Sequence, residues 1–194
     1  GHVTGVQTCA LPIWKAACRG PQAAMFFPPS HFERKDEKEA RESGAKSICA
    51  QCSVRRDCLD YAIRIQSRQG GWRYTPGEDA DLSVTGWFVI ALQSAMMAGL
   101  EVPSPALEKI SEYLDSVSSE NGTRYSYRAE ERGPTPTMTA EALLCRQYLG
   151  WARNDPRLID GVQYVLKNPM DWDGDKNVYY WYYAAQVTHH MEGD

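Results

Sequence analysis

The chain has 194 residues, 43% of them hydrophobic and 24% charged, with a formal net charge of −4. That length admits one or two domains with a real core, and no apolar run approaches the roughly 18 to 20 residues of a membrane span, the longest being Trp87–Leu92. The charge is uneven: residues 14–65 hold ten Lys and Arg against seven Asp and Glu, whereas residues 70–194 hold ten against eighteen, which points to two units with different partners.

Residues 1–13, "GHVTGVQTCALPI", lack the basic and apolar regions of a secretory signal. Val3–Ile13 resembles the translation of a sequencing-library adapter, so residues 1–13 are expected to lie outside any folded unit, Cys9 included. Four cysteines follow close together: Cys18, then Cys49, Cys52 and Cys58 in a C-x2-C-x5-C spacing. Cys49 and Cys52 can share one face at a helix end or tight turn, and Cys58 returns after a short basic loop. Four thiolates suit a tetrahedral zinc or an iron-sulfur cube. Disulfide pairs and unrelated buried thiols are the alternatives, and spacing does not choose the metal.

"WKAACRG" at residues 14–20, "FFPP" at 26–29 and "AKSICAQCSVRRDCLDYA" at 45–62 together resemble the WhiB-like family of bacterial regulators. Ser53 departs from it, standing where the family has Pro. The resemblance implies a redox-responsive [4Fe-4S] cluster held by Cys18, Cys49, Cys52 and Cys58. It also implies transcription regulation through the C-terminal region of the primary sigma factor, in the cytoplasm. The family's Gly-Val/Ile-Trp-Gly-Gly turn and basic tail are missing after Cys58; "SRQGGWRYTPG" follows instead, which speaks against DNA contact. A small unit with few large apolar residues would depend on such a cluster for its fold.

Beyond residue 66 the sequence predicts five helices, at about 82–99, 105–118, 136–150, 156–167 and 178–191. Ser104-Pro105, Thr135-Pro136 and Asp155-Pro156 each read as an N-cap before a Pro at the first helical position. Leu107, Ile110, Leu114 and Val117, then Leu158, Val162 and Leu166, keep helical spacing. Strand-like alternation is lacking. Tyr74 and Tyr127 lie 53 apart, Thr85 and Thr139 lie 54 apart, and Tyr180 falls another 53 on, a period that fits helix pairs.

Gln66, Gly70 and Trp72 satisfy Q-x3-G-x-W, and with "DLSVTGW", "LCRQYLGW" and "YYAAQVTHH" they resemble the squalene cyclase and prenyltransferase-like repeats. The resemblance implies an incomplete α/α toroid over residues 67–194, following the WhiB-like module at 14–66, with an all-α fold throughout. Asp79 and Asp81 are the nearest match to the cyclase acid motif, but Leu82 stands in the proton donor's place, so the unit is expected to be a non-catalytic binding scaffold. Asp79 and Asp81 are expected as solvated loop or helix-cap carboxylates, and the aromatics Trp72, Tyr74, Trp87, Tyr125, Tyr127 and Tyr179–Tyr183 as staples between loops and helices. Cys145 reads as a core thiol. Asp171, Asp173 and Asp175 read as a solvated acidic loop that lacks the Glu of a calcium-binding loop, and His189 and His190 point apart. The two resemblances belong to families of different bacterial groups, so the chain is expected to be a chimera joined between about Ile65 and Gln69; a genuine fusion is the rival reading.

Overall fold

The computed structural model describes residues 15–26, 33–131, 133–169, 171, 173–174 and 176–191. The adapter-like leader, Trp14, Phe27 to Pro29 and Asp175 lie outside the described residues. The described chain is all-α apart from one two-residue ladder. It divides into two units: Gly1–Ile63 with Met97–Leu100, and Arg64–Met96 with Glu101–Asp194.

In the first unit, two short 3-10 turns, Ala17–Arg19 and Ala23–Phe26, precede helix α1 (Lys35–Ala50) and helix α2 (Arg55–Arg64). Helix α1, "KDEKEARESGAKSICA", buries no residue. Its start is held by Glu37, whose carboxylate accepts from the Arg34 backbone N–H (3.0 Å), the returning half of a capping box. Arg41 grips Glu33 through two hydrogen bonds of 2.7 and 3.0 Å and donates to the Met25 carbonyl at 3.2 Å. The bidentate pair orients the Arg41 guanidinium, and its bond to Met25 ties the second 3-10 turn to α1. Helix α2 carries Arg56 and Asp60 one turn apart, 2.9 Å between charges. Arg55 donates to the Ala98 carbonyl at 3.2 Å. Apolar burial is thin: Ala16, Val54 and Leu59.

The second unit holds helices α3 (Leu82–Met97), α4 (Ser104–Ser116), α5 (Pro136–Tyr148), α6 (Pro156–Leu166) and α7 (Val178–His189). Helix α5 buries nine consecutive residues, Met138 to Arg146, as a central helix must. It packs against both α6 and α7. Helix α6 turns one stripe inward, Leu158, Gly161, Val162 and Val165. A Cβ on Gly161 would stand 2.7 Å from Leu143 Cδ1, so that glycine sets the close approach of α6 to α5.

Four of the five helix starts agree with sequence expectation, α4 beginning one residue early, and the ends come two residues earlier for α3, α4, α5 and α7 and one earlier for α6. Gly99 (φ +75°) and Gly150 (φ +96°) explain the difference for α3 and α5, because left-handed backbone just past a helix terminates it. Thr135 and Asp155 do cap α5 and α6, accepting from Met138 N–H (3.1 Å) and Arg157 N–H (2.9 Å). Ser104 does not: α4 begins at Ser104 itself, Pro103 occupies the cap position, and no side chain caps the end. A ladder between β1 (Ser118–Ser119) and β2 (Arg124–Tyr125) forms in the connection from α4 to α5, a detail that alternation over so few residues cannot signal.

The internal repeat survives at the level of single hydrogen bonds. Trp72 N–H donates to Thr85 Oγ1 (3.0 Å), Asp81 N–H to the Trp72 carbonyl (3.1 Å), and Val84 N–H to Asp81 Oδ1 (2.8 Å). In the next copy, Tyr125 N–H donates to Thr139 Oγ1 (3.1 Å), Thr135 N–H to the Tyr125 carbonyl (3.2 Å), and Met138 N–H to Thr135 Oγ1 (3.1 Å). The third copy departs from the period. Tyr180 is not a turn aromatic but a buried residue inside α7, its hydroxyl on the Val165 and Asn168 carbonyls at 3.0 and 2.6 Å. The cap of α7 is Asn177, 42 residues after Thr135, because the connection before α7 is shorter than its counterparts.

Candidate functional site: a four-cysteine group

Cys18 lies within the first 3-10 turn, Cys49 in the last turn of α1, Cys52 just beyond it, and Cys58 in the first half of α2. The sequence expectation of a tight turn holds, since Cys52 N–H donates to the Cys49 carbonyl at 3.1 Å. The expected basic loop before Cys58 is instead helical: Arg55 and Arg56 open α2, and Cys58 N–H donates to the Val54 carbonyl at 3.0 Å. Ala17 N–H donates to Cys52 Sγ at 3.4 Å, which ties the backbone beside Cys18 to the C-x2-C segment across 35 residues of sequence.

All four are free, half-buried thiols, so no disulfide joins them. Burial pushes the Cys49 thiol up, as do Cys52 and Cys18, while Arg55 pulls it back. Burial likewise raises Cys58, and Cys52, Cys18, Cys49 and Asp57 add to it. Cys49 and Cys58 thus both feel the charge of Cys18 and Cys52. Among the described residues, no three His, Cys, Asp or Glu side chains stand where they could hold a metal ion. The sulfurs share a neighbourhood without converging on one point. The donor set fits a cluster that takes one thiolate per iron, provided that binding draws the sulfurs in and releases their protons. A cavity of ≈ 440 Å³ lies beside the group, lined by residues that include Ala17, Ile48 and Gln51.

In the second unit, Gln66 behaves as a staple. Its side-chain amide donates to the Gly70 carbonyl (2.7 Å) and to the Ala106 carbonyl of α4 (3.0 Å). Gly70 has φ +96°, and a Cβ there would meet the Lys109 carbonyl oxygen at 2.0 Å. Trp72 is buried and stacked on Phe88 of α3, ring centroids 4.7 Å apart. Tyr74, by contrast, is 83% exposed and staples nothing.

Asp81 is a cap, as expected, but it is not solvated. It is fully buried, with Oδ1 accepting from Val84 N–H and Oδ2 paired with Arg73 Nε at 3.1 Å. Asp79 pairs with Arg73 at 2.7 Å and Arg128 at 3.5 Å, and Leu82 is a core side chain. Both acids are thus committed to structure. Cys145 is buried, and burial raises its thiol well above the ordinary value. Asp171 accepts from the Asp173 and Gly174 backbone N–H groups at 3.0 and 2.8 Å, a self-capped turn. His190 meets Tyr148 edge-on, and its ring is tilted 50° to that of His189.

Two buried ionisable residues escaped sequence reasoning. Arg146 bonds Tyr125 Oη (3.1 Å) and Ser111 Oγ (2.9 Å), pairs with Asp115, and lies over the Trp151 ring. Glu141 is buried on α5. Each is a lone ionisable residue inside an apolar run, "MTAEALLCRQ", and that interruption was the available signal.

No described helix is long and apolar enough to cross a membrane. No solved structure matches the chain. A family model described as transcription factor WhiB matches residues 14–77. The transcriptional regulator WhiD of Streptomyces coelicolor is 40% identical over 57 residues, 29% of this chain and 50% of the relative. The transcriptional regulators WhiB2 of Bifidobacterium longum and of Mycobacterium tuberculosis are 38% and 36% identical over 58 residues, 30% of this chain and 50% and 56% of theirs. The chain thus spans about half the length of the curated relatives it matches. Residues 14–77 are therefore similar to WhiB-type transcription regulators through the stretch that carries all four cysteines.

Proposed function

We propose that Cys18, Cys49, Cys52 and Cys58 hold a [4Fe-4S] cluster and that the segment is a redox-responsive regulator, acting in the cytoplasm on the C-terminal region of the primary sigma factor. The observation that carries the reading is the bond from Ala17 N–H to Cys52 Sγ, with the influence of Cys18 and Cys52 on the Cys49 and Cys58 thiols. It brings the distant Cys18 to the C-x2-C-x5-C group. When bound, such a cluster supplies reversible electron transfer and sensitivity to oxidants. The protein's part is to present four thiols, bind them through deprotonated sulfur and tie the two 3-10 turns to α1 and α2.

Anaerobic expression of the full chain, followed by iron and acid-labile sulfide analysis, tests this directly. Iron and sulfide near four of each per chain, falling on Cys→Ala replacement at any of the four positions, is the expected result. Zinc without sulfide would select the single-ion alternative. Cluster-dependent capture of the sigma-factor C-terminal region tests the partner.

For the second unit the reading is a non-catalytic, cyclase-like helical scaffold. Its support is the duplicated set of turn bonds and the Gln66 staple, together with the commitment of Asp79 and Asp81 to Arg73. Turnover of squalene that disappears in Asp81→Asn would overturn it. The chimeric origin of the chain is tested separately: one uninterrupted genomic read across the codons for Ile65 to Gly70 would establish a genuine fusion.

A further inference from the structure

Two carboxylates are buried among the described residues, Asp81 and Glu141. Asp81 has Arg73 as its counterion. Glu141 faces hydroxyls instead: both of its oxygens lie 3.0 Å from Tyr179 Oη, and that hydroxyl lies 2.8 Å from Ser83 Oγ. These groups come from three elements, Glu141 from α5, Tyr179 from α7 and Ser83 from α3. On α3, Gly86 makes room for the carboxyl, since a Cβ there would stand 2.2 Å from Glu141 Oε1.

We propose that Glu141 is a proton-binding site that latches α7 onto α3 and α5, with Tyr179 and Ser83 as its route to solvent. Ser83 and Tyr179 are both half-buried, so the chain of hydroxyls leads outward from the buried acid. Protonated, Glu141 donates to Tyr179 Oη, which donates to Ser83 Oγ. To release the proton, Glu141 passes it to Tyr179 Oη, Tyr179 passes its own to Ser83, and Ser83 passes its own to water. The chain ends with every hydrogen bond reversed and a carboxylate inside.

Among the described residues no cation pairs with that carboxylate. Burial holds the Glu141 carboxyl up at about 8, with the charge of Asp81 at the start of α3 adding to it, while the Tyr179 and Tyr183 hydroxyls oppose the shift. Tyr183 Oη is buried and favours the anion as a nearby hydroxyl donor, without a bond of ordinary geometry. The other ionisable groups facing Glu141 stay neutral through this range. Burial lifts Tyr179 to about 12 and raises Tyr183 on α7 and Cys145 on α5. A base at neutral pH is therefore lacking, so the Ser83–Tyr179–Glu141 chain does not activate Ser83 as a nucleophile. An isolated interior anion is costly, and undocking α7 is the local way to relieve it.

The test is hydrogen–deuterium exchange of the full-length chain from pH 6 to 9.5, corrected for the intrinsic rate, in wild type, Glu141→Gln and Tyr179→Phe. Wild type is expected to lose protection over residues 178–189 by about tenfold per pH unit for one linked proton up to about pH 8, and to level off above it. Glu141→Gln should show no slope, and Tyr179→Phe should move the levelling-off to higher pH, because that hydroxyl favours the anion. An identical slope in Glu141→Gln, an unmoved levelling-off in Tyr179→Phe, or flat wild-type protection overturns the proposal. Should Glu141→Gln fail to fold, infrared difference spectra of wild type decide: loss of a protonated carboxyl band as pH passes about 8 supports the latch, and its absence overturns it.

Discussion

The two units solve the stability problem in opposite ways. The second buries a continuous core around α5, including Leu143, Leu144, Tyr113, Tyr125, Tyr183 and Leu158. The first buries only Ala16, Val54 and Leu59 among its described apolar residues, and α1 contributes none. Apolar burial scales with area at about 25 cal/mol per Å², so the first unit must draw on something other than a core. The difference teaches where each should fail: the first on loss of the proposed sulfur-bound centre, the second on damage to its packing.

The largest expected effect breaks the comparison from the first unit's side. Removing bound iron with a chelator, or replacing Cys52 by Ala, should abolish exchange protection in α1 and α2. Metal-linked folding is worth about 10 kcal/mol or more in small sites. Protection in α5 should not move. Equal loss in both units would show that they do not fail independently.

Next is pH. The folded Glu141 carboxyl is raised from 4.5 to about 8, so the folded chain keeps a proton that the unfolded chain releases from about 4.5 upward. Stability of the second unit should fall as pH rises through that window and level off above it. The shift corresponds to at most about 5 kcal/mol, less where water reaches the open site. Urea unfolding of wild type and Glu141→Gln at pH 5 and 8.5 measures it. The two proteins should differ in slope with pH rather than merely in offset.

Trp72→Ala should destabilise the second unit by about 3 to 5 kcal/mol, the range for a buried large aromatic, without changing iron content. The smallest effect sharpens the repeat: Thr135→Ala removes the cap of α5 and should cost about 1 kcal/mol. A cost well above that in thermal unfolding would mean that the Thr135 turn carries more than capping.

Much of the second unit was legible because local chemistry sets helix boundaries. Thr135 and Asp155 before Pro mark the starts of α5 and α6, and Gly150 marks an end through its backbone freedom. Pro105 misled by one residue, because Pro is tolerated throughout the first helical turn and α4 gained a residue before it. Tyr180 misled because a period counts residues while a fold counts helices, and the connection before α7 is shorter. In the first unit the cysteine spacing was legible, whereas the helical setting of Cys58 and the reach of Ala17 N–H to Cys52 were not.

By itself the sequence determined what depends on neighbours along the chain: the all-α class, the five later helices, the four-thiol spacing and the Gln66–Gly70–Trp72 turn. Only the tertiary structure decided which charges are buried and who answers them. Asp81 finds Arg73, Arg146 finds Asp115, and Glu141 finds tyrosine hydroxyls in place of a counterion. The reason is physical. Helical periodicity reports which face turns inward, but the fate of an ionisable group depends on the side chains that distant segments bring against it, and those contacts exist only once the helices have packed.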